Sequence, residues 1–304
     1  MITAASTGKD QVVKDRFIDR LEAIDDLPSL PEIVTRLSRA IEDPNTSANA
    51  VASIMQDDPA ITAKVLKLVN SAYYGPIATT REITSVPYAV ARMGFNEVRN
   101  IVLTMSVFSM FNKRERTIAR REFWRHCIST GITAKVIYHH AGADSGLRET
   151  SPDTYFVAGL LHDIGIIVLE QYFHKSFAAL CAYAQLNNIP LHKAEDEKWD
   201  VNHGDIGAFL CKKWNMPMPI VESTNFHHHP QYCDDAFRKM VNVVHVADFI
   251  CNSQNIGTAT EGIFDGFAPD SLVELGISMK HVGEIVDVVI EESSKSEILL
   301  SLAM

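Results

Sequence analysis

His162 and Asp163 stand side by side in a short apolar run that begins at Gly159 and ends at Gly165. Adjacent side chains diverge along a straight helix, but at a helix end beside a glycine they can both contact one metal ion, or bridge two. Imidazole nitrogens and carboxylate oxygens together suit first-row divalent metals such as Fe, Mn, Ni, Co or Zn. The pair is therefore a candidate metal-binding motif.

More side chains of the same types flank this pair along the chain. His126 precedes it in a predicted helix, His203 opens a later helix, and Asp248 lies in an apolar helical pattern. The adjacent residues His227 and His228 come between the last two. A carboxylate that bridges two ions would form a two-metal hydrolytic centre, which generates hydroxide and neutralises phosphate charge. The alternative is a hydrogen-bonded polar cluster that holds no metal.

Helices are the elements that must position these side chains. Apolar residues recur at helical spacing, as at Ile33, Leu37 and Ile41, and no segment of any length alternates as a strand does. The pattern predicts an all-α, multi-helical fold. In the second half of the chain, helices are expected near 117–141, 152–163, 165–187, 191–198, 203–214, 218–229, 235–253 and 278–293.

A polar segment from Asn112 to Arg121 is the best candidate for a boundary within the chain. We expect four parts: a tail and helix at 1–20, an N-terminal helical subdomain at 21–112, a helical subdomain with the histidine and aspartate cluster at 113–253, and a C-terminal helical extension at 254–304. The first helical subdomain is expected to pack on the second.

Composition narrows the class of protein. The 304 residues carry a formal net charge of −10, which argues against binding to nucleic acid or to anionic membranes. The five cysteines are scattered without a C-x-x-C pair, which favours a reducing compartment. The N-terminus has no apolar run, and no uninterrupted apolar stretch approaches the roughly 18 residues that span a bilayer. A cytoplasmic location is expected, and the oligomeric state is left open.

The ordered set of histidines and aspartates resembles the metal site of the HD superfamily of metal-dependent phosphohydrolases. The resemblance implies that one or two divalent ions are bound by His126, His162, Asp163, His203, His227, His228 and Asp248. It also implies that Asp163 is the catalytic residue if the protein is an active enzyme. Glu122 stands where the three-metal cyclic-dinucleotide phosphodiesterases carry another carboxylate.

The first half of the chain resembles the HDOD domain, an HD-related bacterial signalling module. The matching segments are Leu27–Pro31, Asp58–Ile61, Lys67–Tyr74, Ser85–Ala89 and Met93-Gly94. With the histidine motifs included, the resemblance runs from about residue 27 to about residue 251. HDOD domains are regulatory output domains, and many lack a full metal set. The resemblance therefore implies a signalling role exerted through an unknown partner protein.

Two departures from the active phosphodiesterases bear on catalysis. Those enzymes carry a lysine after His-Asp-x-Gly, which contacts phosphate as a point charge, and this chain has Ile166 there. The Gly-Tyr-Pro that follows the paired histidines in cyclic-dinucleotide phosphodiesterases is missing between His229 and Cys233. The first hypothesis is therefore a signalling output protein with a metal site. The second is a metal-dependent phosphohydrolase that acts on a nucleotide or another phosphoester.

Simpler roles are expected for several other residues. Glu122 either joins the metal site or pairs with a neighbouring arginine, and Cys127 is expected to be a buried thiol. His229 and His245 lie beside matched positions and can support the ligands. The basic stretch at 113–116 contains a glutamate, so a solvated helix face is favoured over a phosphate or RNA site. Core or surface roles are expected for His139, His140, His174, His192 and His281.

Overall fold

A computed structural model describes residues 17, 19, 21–24, 27–71, 83–111, 117–141, 147–257, 263, 264, 266 and 268–303. All regular secondary structure among these residues is helical, which confirms the predicted all-α fold. The α-helices are α1 (Glu32–Glu42), α2 (Ala48–Met55), α3 (Pro59–Val69), α4 (Val86–Met93), α5 (Phe95–Met110), α6 (Arg120–His140), α7 (Pro152–Leu161), α8 (Ile164–Tyr172), α9 (His174–Asn187), α10 (Leu191–Trp199), α11 (His203–Lys213), α12 (Met218–Phe226), α13 (Arg238–Ser253), α14 (Pro269–Leu275) and α15 (Met279–Ala303). Short 3-10 helices lie at Leu147–Glu149 and Pro230–Tyr232.

The chain forms two compact units. Unit 1 contains Met1–Pro28 and Lys113–Val286, and unit 2 contains Ser29–Asn112 and Asp287–Met304. The last boundary between them falls within α15. The four-part division expected from the sequence stays a prediction.

Unit 2 is built from α1 to α5 and the C-terminal part of α15. The side chain of Ser47 accepts a hydrogen bond from the Ala50 N–H at 3.1 Å, and that of Asp58 accepts one from the Ile61 N–H at 3.0 Å. These contacts cap α2 and α3. Pro59 fits the first turn of α3, where an N–H would have no intrahelical acceptor. Helix α1 packs against α2 and α5, and α2 packs against α4.

Glycines allow the helices of unit 1 that carry the histidines to approach closely. A Cβ built on Gly159 of α7 would lie 2.7 Å from the Cα of Gly131 in α6. A Cβ built on Gly165 of α8 would overlap the carbonyl oxygen of His203 at the start of α11. Because a well-packed interior has no room for such atoms, any side chain at these positions would push the helices apart.

The chain changes direction at His162 and Asp163. Helix α7 ends at Leu161 and α8 begins at Ile164, so the two residues occupy the turn between them. The Asp163 carbonyl accepts a hydrogen bond from the Ile166 N–H at 2.9 Å. This turn frees adjacent side chains from the divergence of a straight helix, as the glycine-flanked motif predicted.

Two helices differ from their expected bounds. The helix expected at 165–187 is divided into α8 and α9, because Phe173 leaves helical geometry with φ −127° and ψ 24°. The helix expected to end near residue 293 continues to Ala303, and Leu299 and Leu300 near its end are buried. Burial of these leucines extends the helix beyond the point where the sequence pattern weakens.

One stretch, Pro152–Tyr172, is long and apolar enough to cross a membrane by length and composition, with a mean hydropathy of 1.3. It includes His162 and Asp163, so it is not an uninterrupted apolar run. In the described part of the chain, 89% of the most apolar 18 residues of this stretch are buried inside the protein. Its helices α7 and α8 pack against α6, α11, α12 and α13 as core helices.

Candidate metal centre

Seven side chains of unit 1 form two adjoining groups of possible metal ligands. Group A contains His126, His162 and Asp248, and group B contains Asp163, His203, His227 and His228. One nitrogen or oxygen from each member lies within 4.8 Å of those of the other members of its group. The structure therefore brings together all seven residues that the resemblance implied, and their role as ligands stays a prediction.

The Asp163 carboxylate lies between the two groups. Its Oδ2 is 3.3 Å from the Nε2 of His162 and 3.8 Å from the Nε2 of His126. Its Oδ1 is 3.2 Å from the Nε2 of His203 and 3.4 Å from the Nε2 of His227. Each oxygen therefore faces a different group, which is the arrangement that a carboxylate bridging two ions requires.

The Nε2 atoms of the histidines converge within each group. In group A the Nε2 atoms of His126 and His162 are 3.3 Å apart, and the Nε2 of His126 is 2.9 Å from the Asp248 Oδ1. In group B the Nε2 atoms of His203 and His228 are 2.9 Å apart. The buried Nε2 of His227 has no hydrogen-bond partner among the described residues.

Three of the imidazoles are oriented by hydrogen bonds at their other nitrogen. The Nδ1–H groups of His162 and His227 donate to the carbonyl oxygens of Gly159 at 2.7 Å and Thr224 at 2.9 Å. The Nδ1–H of His203 donates to a carboxylate at 2.6 Å. A histidine whose Nδ1 carries the proton presents the lone pair of Nε2, which is the form that binds metal. These residues therefore fit a divalent metal centre.

The buried charges of the site compensate one another. Burial raises the pKa of the Asp163 carboxyl, but the charge of His162 and hydrogen bonds from the surrounding histidines outweigh burial and lower this pKa well below its usual range. Burial lowers the pKa of His162, yet the two nearby carboxylates raise it to about 10. Hydrogen bonds from His126 and His162 outweigh burial and lower the pKa of the Asp248 carboxyl as well. The carboxylates of Asp163 and Asp248 are therefore held ionised beside a positive charge, which a bound divalent ion would supply in place of a proton.

Helix α10 contributes two residues that the sequence reasoning did not assign to the site. Glu195 is the carboxylate that holds His203, and its Oε2 also accepts from the backbone N–H of His203 at 2.9 Å. His192, expected in a core or surface role, is buried with its ring stacked on His228 at a centroid distance of 4.0 Å. Their spacing of three residues places both side chains on one helix face. This spacing is the signal in the sequence that could have assigned them to the site.

His245 supports the site as expected from its position. Its Nδ1–H donates to the carbonyl oxygen of His227 at 2.6 Å, and its Nε2 accepts from the N–H of Ala268 at 3.0 Å. His229 lies 3.7 Å from a carboxylate oxygen of Asp196 and does not belong to either group.

Glu122 lies outside both groups. Its carboxylate pairs with Arg125 at 3.5 Å, as the simpler alternative predicted. Cys127 is buried, and burial together with the nearby carboxylates raises the pKa of its thiol well above the usual value, as befits an inert structural thiol. The basic stretch at 113–116 lies outside the described residues.

A cavity of about 220 Å³ opens onto both groups. Residues from each group line it, together with His192, His229 and Gln231. Ile166, at the position where active phosphodiesterases carry lysine, also lines the cavity and is 2% exposed. Among the described lining residues there is no lysine or arginine.

Comparison with solved structures shows that the fold is shared. An HDOD domain protein of unknown function from Geobacter sulfurreducens has a TM-score of 0.75 and 24% identity, with 97% of each chain covered. A protein from Shewanella amazonensis SB2B, named provisionally as a phosphohydrolase, has a TM-score of 0.71 and 21% identity, with 93% of this chain and 97% of that chain covered. At these identities the likeness shows the fold alone.

Sequence comparison identifies the family. An uncharacterized protein from Treponema pallidum (strain Nichols) is 26% identical over 227 residues, which are 75% of this chain but 42% of that protein. This chain thus matches less than half the length of that relative. The family model of the HDOD domain matches residues 27–230, close to the limits that the motifs indicated. The chain therefore belongs to the HDOD family.

Proposed function

We propose that this chain is a signalling output protein of the HDOD type whose unit 1 holds a dinuclear centre of divalent transition metal ions. The observation that carries this proposal is the position of Asp163, whose two oxygens face two separate sets of imidazoles at 3.2 to 3.8 Å. A cluster stabilised only by internal hydrogen bonds would not need its Nε2 atoms to converge in this way.

Each ion would have its own set of protein ligands. Group A with the Oδ2 of Asp163 would hold one ion, and group B with the Oδ1 of Asp163 would hold the other. Two ions placed in this way supply hydroxide and neutralise phosphate charge when bound. The protein's own contribution is to orient the imidazoles and to exclude bulk water from a largely buried centre.

The cavity favours regulation over efficient hydrolysis. Ile166 cannot contact a phosphate as a lysine would, and the described lining residues contain no lysine or arginine. In this proposal the centre stabilises or senses a state of unit 1, and a partner protein of unknown identity reads that state in the cytoplasm. A solved structure from Marinobacter aquaeolei VT8, described provisionally as a signal transduction protein, has a TM-score of 0.79 at 19% identity over 97% of this chain and 66% of that chain.

Metal analysis of protein purified without chelators tests the proposal. We expect two equivalents of a transition metal in the wild type and less than one in Asp163→Asn, because that change removes the bridging charge. Asp235→Asn is the matched control, since Asp235 is exposed, precedes α13 and pairs with Arg238. Less than one equivalent of every transition metal in the wild type would overturn the dinuclear centre.

A metal-dependent phosphohydrolase is the second candidate, because the cavity reaches both ligand groups. An assay with p-nitrophenyl phosphate and bis(p-nitrophenyl) phosphate on the metal-loaded protein separates the two. Turnover in the usual enzymatic range of about 1 to 1,000 per second, lost in Asp163→Asn, would establish this second function. Turnover orders of magnitude lower in the wild type supports the regulatory function.

A further inference from the structure

The cavity at the metal centre has two chemically different sides. One side is formed by ligand residues of the two groups, where an anion would bind metal. Apolar side chains form much of the remaining lining, including Ile166, Leu191, Phe249, Ile263 and Phe264. Phe249 directly follows the ligand Asp248, and Ile166 lies one helical turn after Asp163, so apolar surface begins close to the centre.

Two aromatic rings define the outer part of the apolar side. Phe249 and Phe264 contact each other edge to face, with ring centroids 5.9 Å apart. Phe264 is 42% exposed, so one face of this pair remains open to a ligand or to solvent. Aromatic rings favour a further apolar or aromatic group in offset or edge-to-face contact.

Two polar side chains that line the cavity, Asn252 and His245, are engaged within the protein. The Nδ2 of Asn252 donates to the Oδ1 of Asp248 at 2.7 Å. Both ring nitrogens of His245 are occupied by the carbonyl of His227 and the N–H of Ala268. A ligand would therefore find few hydrogen-bond partners on this side, and an apolar substituent fits it better than a sugar or a second phosphate.

The size of the cavity limits the ligand further. Its volume of about 220 Å³ is below the roughly 300–1,000 Å³ of pockets for drug-sized ligands. A cyclic dinucleotide also needs contacts for two phosphates, and the described lining residues include no lysine or arginine for a second phosphate.

We propose that this cavity binds a compact phosphomonoester or phosphonate with a small aromatic or apolar substituent. The anion faces the metal centre, and the substituent lies against Ile166, Phe249 and Phe264. This inference rests on the proposed metal centre, because the described lining residues supply no lysine or arginine for the anion.

Isothermal titration calorimetry with two non-hydrolysable probes tests the inference. Phenylphosphonate and methylphosphonate carry the same anionic group and differ in the apolar substituent. On the full-length, metal-loaded protein we expect phenylphosphonate to bind about tenfold more tightly, with a negative heat-capacity change. Protein treated with a chelator is expected to bind neither probe.

Variants test whether the apolar residues of the cavity cause the preference for phenylphosphonate over methylphosphonate. Phe264→Ala should reduce the preference for phenylphosphonate by about three- to tenfold, because it removes an aromatic contact. Leu186→Ala is the matched control, since Leu186 is 86% exposed and does not line the cavity. Ile166→Lys should strengthen methylphosphonate binding and reduce the phenyl preference.

The outcomes separate this inference from the metal centre itself. If the protein holds two metal ions but binds both probes equally, or binds neither, the ligand class is wrong and the metal centre stands. Tighter binding of cyclic di-GMP than of phenylphosphonate would also overturn the ligand class. If the protein holds less than one equivalent of metal, the proposed function itself fails.

Discussion

Glu195 holds His203 through both the imidazole and the backbone of that residue. Its Oε2 is 2.6 Å from the Nδ1 and 2.9 Å from the backbone nitrogen, and Glu195 is fully buried. A carboxylate in this position fixes the ring orientation and raises the basicity of the nitrogen that faces the metal. Burial lowers the pKa of His203, but Glu195 and Asp163 outweigh burial and raise it well above the usual value.

We predict that Glu195→Gln weakens metal binding at group B. The amide can still accept both hydrogen bonds but lacks the charge, so affinity for one ion should fall about tenfold, at the lower end of effects in the outer shell of metal sites. Competition with a metallochromic chelator measures this directly. Glu197→Gln on the same helix is the control, because Glu197 is exposed and bonds to Tyr183.

Equal metal affinities in these two variants would contradict a positioning role for Glu195. A second variant tests the position of the carboxylate separately from its charge, since Glu195→Asp keeps the charge but shortens the side chain. We expect Glu195→Asp to bind metal more weakly than the wild type, because its carboxylate no longer reaches the Nδ1 of His203 at hydrogen-bond distance.

At the scale of the helices, packing sets the distances between the candidate ligands. Helix α6 carries His126, and His162 directly follows α7. The contact between Gly131 and Gly159 brings these two helices together. Helices α8 and α11 are brought together in the same way by Gly165, which contacts the backbone of His203. The glycines therefore act on the site through backbone approach, and none of them offers a side chain to a metal ion.

We predict that Gly159→Ala both destabilises the protein and disturbs group A. The added methyl group would lie 2.7 Å from the Cα of Gly131, so α6 and α7 must separate. Overpacking of this kind costs about 1–3 kcal/mol of unfolding free energy. Urea denaturation measures the loss, and metal content of the folded variant reports the displacement of His126.

Gly283→Ala is the matched control for this variant. Gly283 lies in α15 with no atom within 4 Å of a built Cβ, so alanine should be neutral or stabilising by up to about 1 kcal/mol. If both alanine variants had the same stability, close approach of α6 and α7 would not limit the fold.

At the scale of the whole molecule, the proposed metal centre links segments that are far apart along the chain. Its residues extend from His126 in α6 to Asp248 in α13, and all of them belong to unit 1. Ions that bind only the folded chain stabilise it by mass action, by about 2.7 kcal/mol for each ion when the free metal is at 100 times Kd.

We predict that chelation lowers the thermal stability of the wild type. Removal of the ions should reduce Tm by at least about 5 °C, given about 2–4 °C per kcal/mol for a unit of this size. Differential scanning calorimetry with and without a chelator measures the shift. Asp163→Asn should show a much smaller shift, and an unchanged Tm in the wild type would contradict a metal that contributes to folding.

Fold class and ligand types were determined by local information in the sequence. Helical periodicity and proline and glycine positions act over a few residues, so the all-α fold and the turn at His162 and Asp163 were predictable from sequence. The segments of the first half, taken with the order of the histidines and aspartates, were sufficient for the resemblance to the HDOD family, which the family comparison confirmed.

Tertiary structure alone decided how these residues are combined. The division into two groups, the placement of Asp163 between them and the roles of Glu195 and His192 depend on distances between side chains from separate helices. Such distances follow from close packing at glycines and from burial, which are properties of the folded chain and have no local pattern. Burial of Leu299 and Leu300 likewise explains the extension of α15 beyond its expected end.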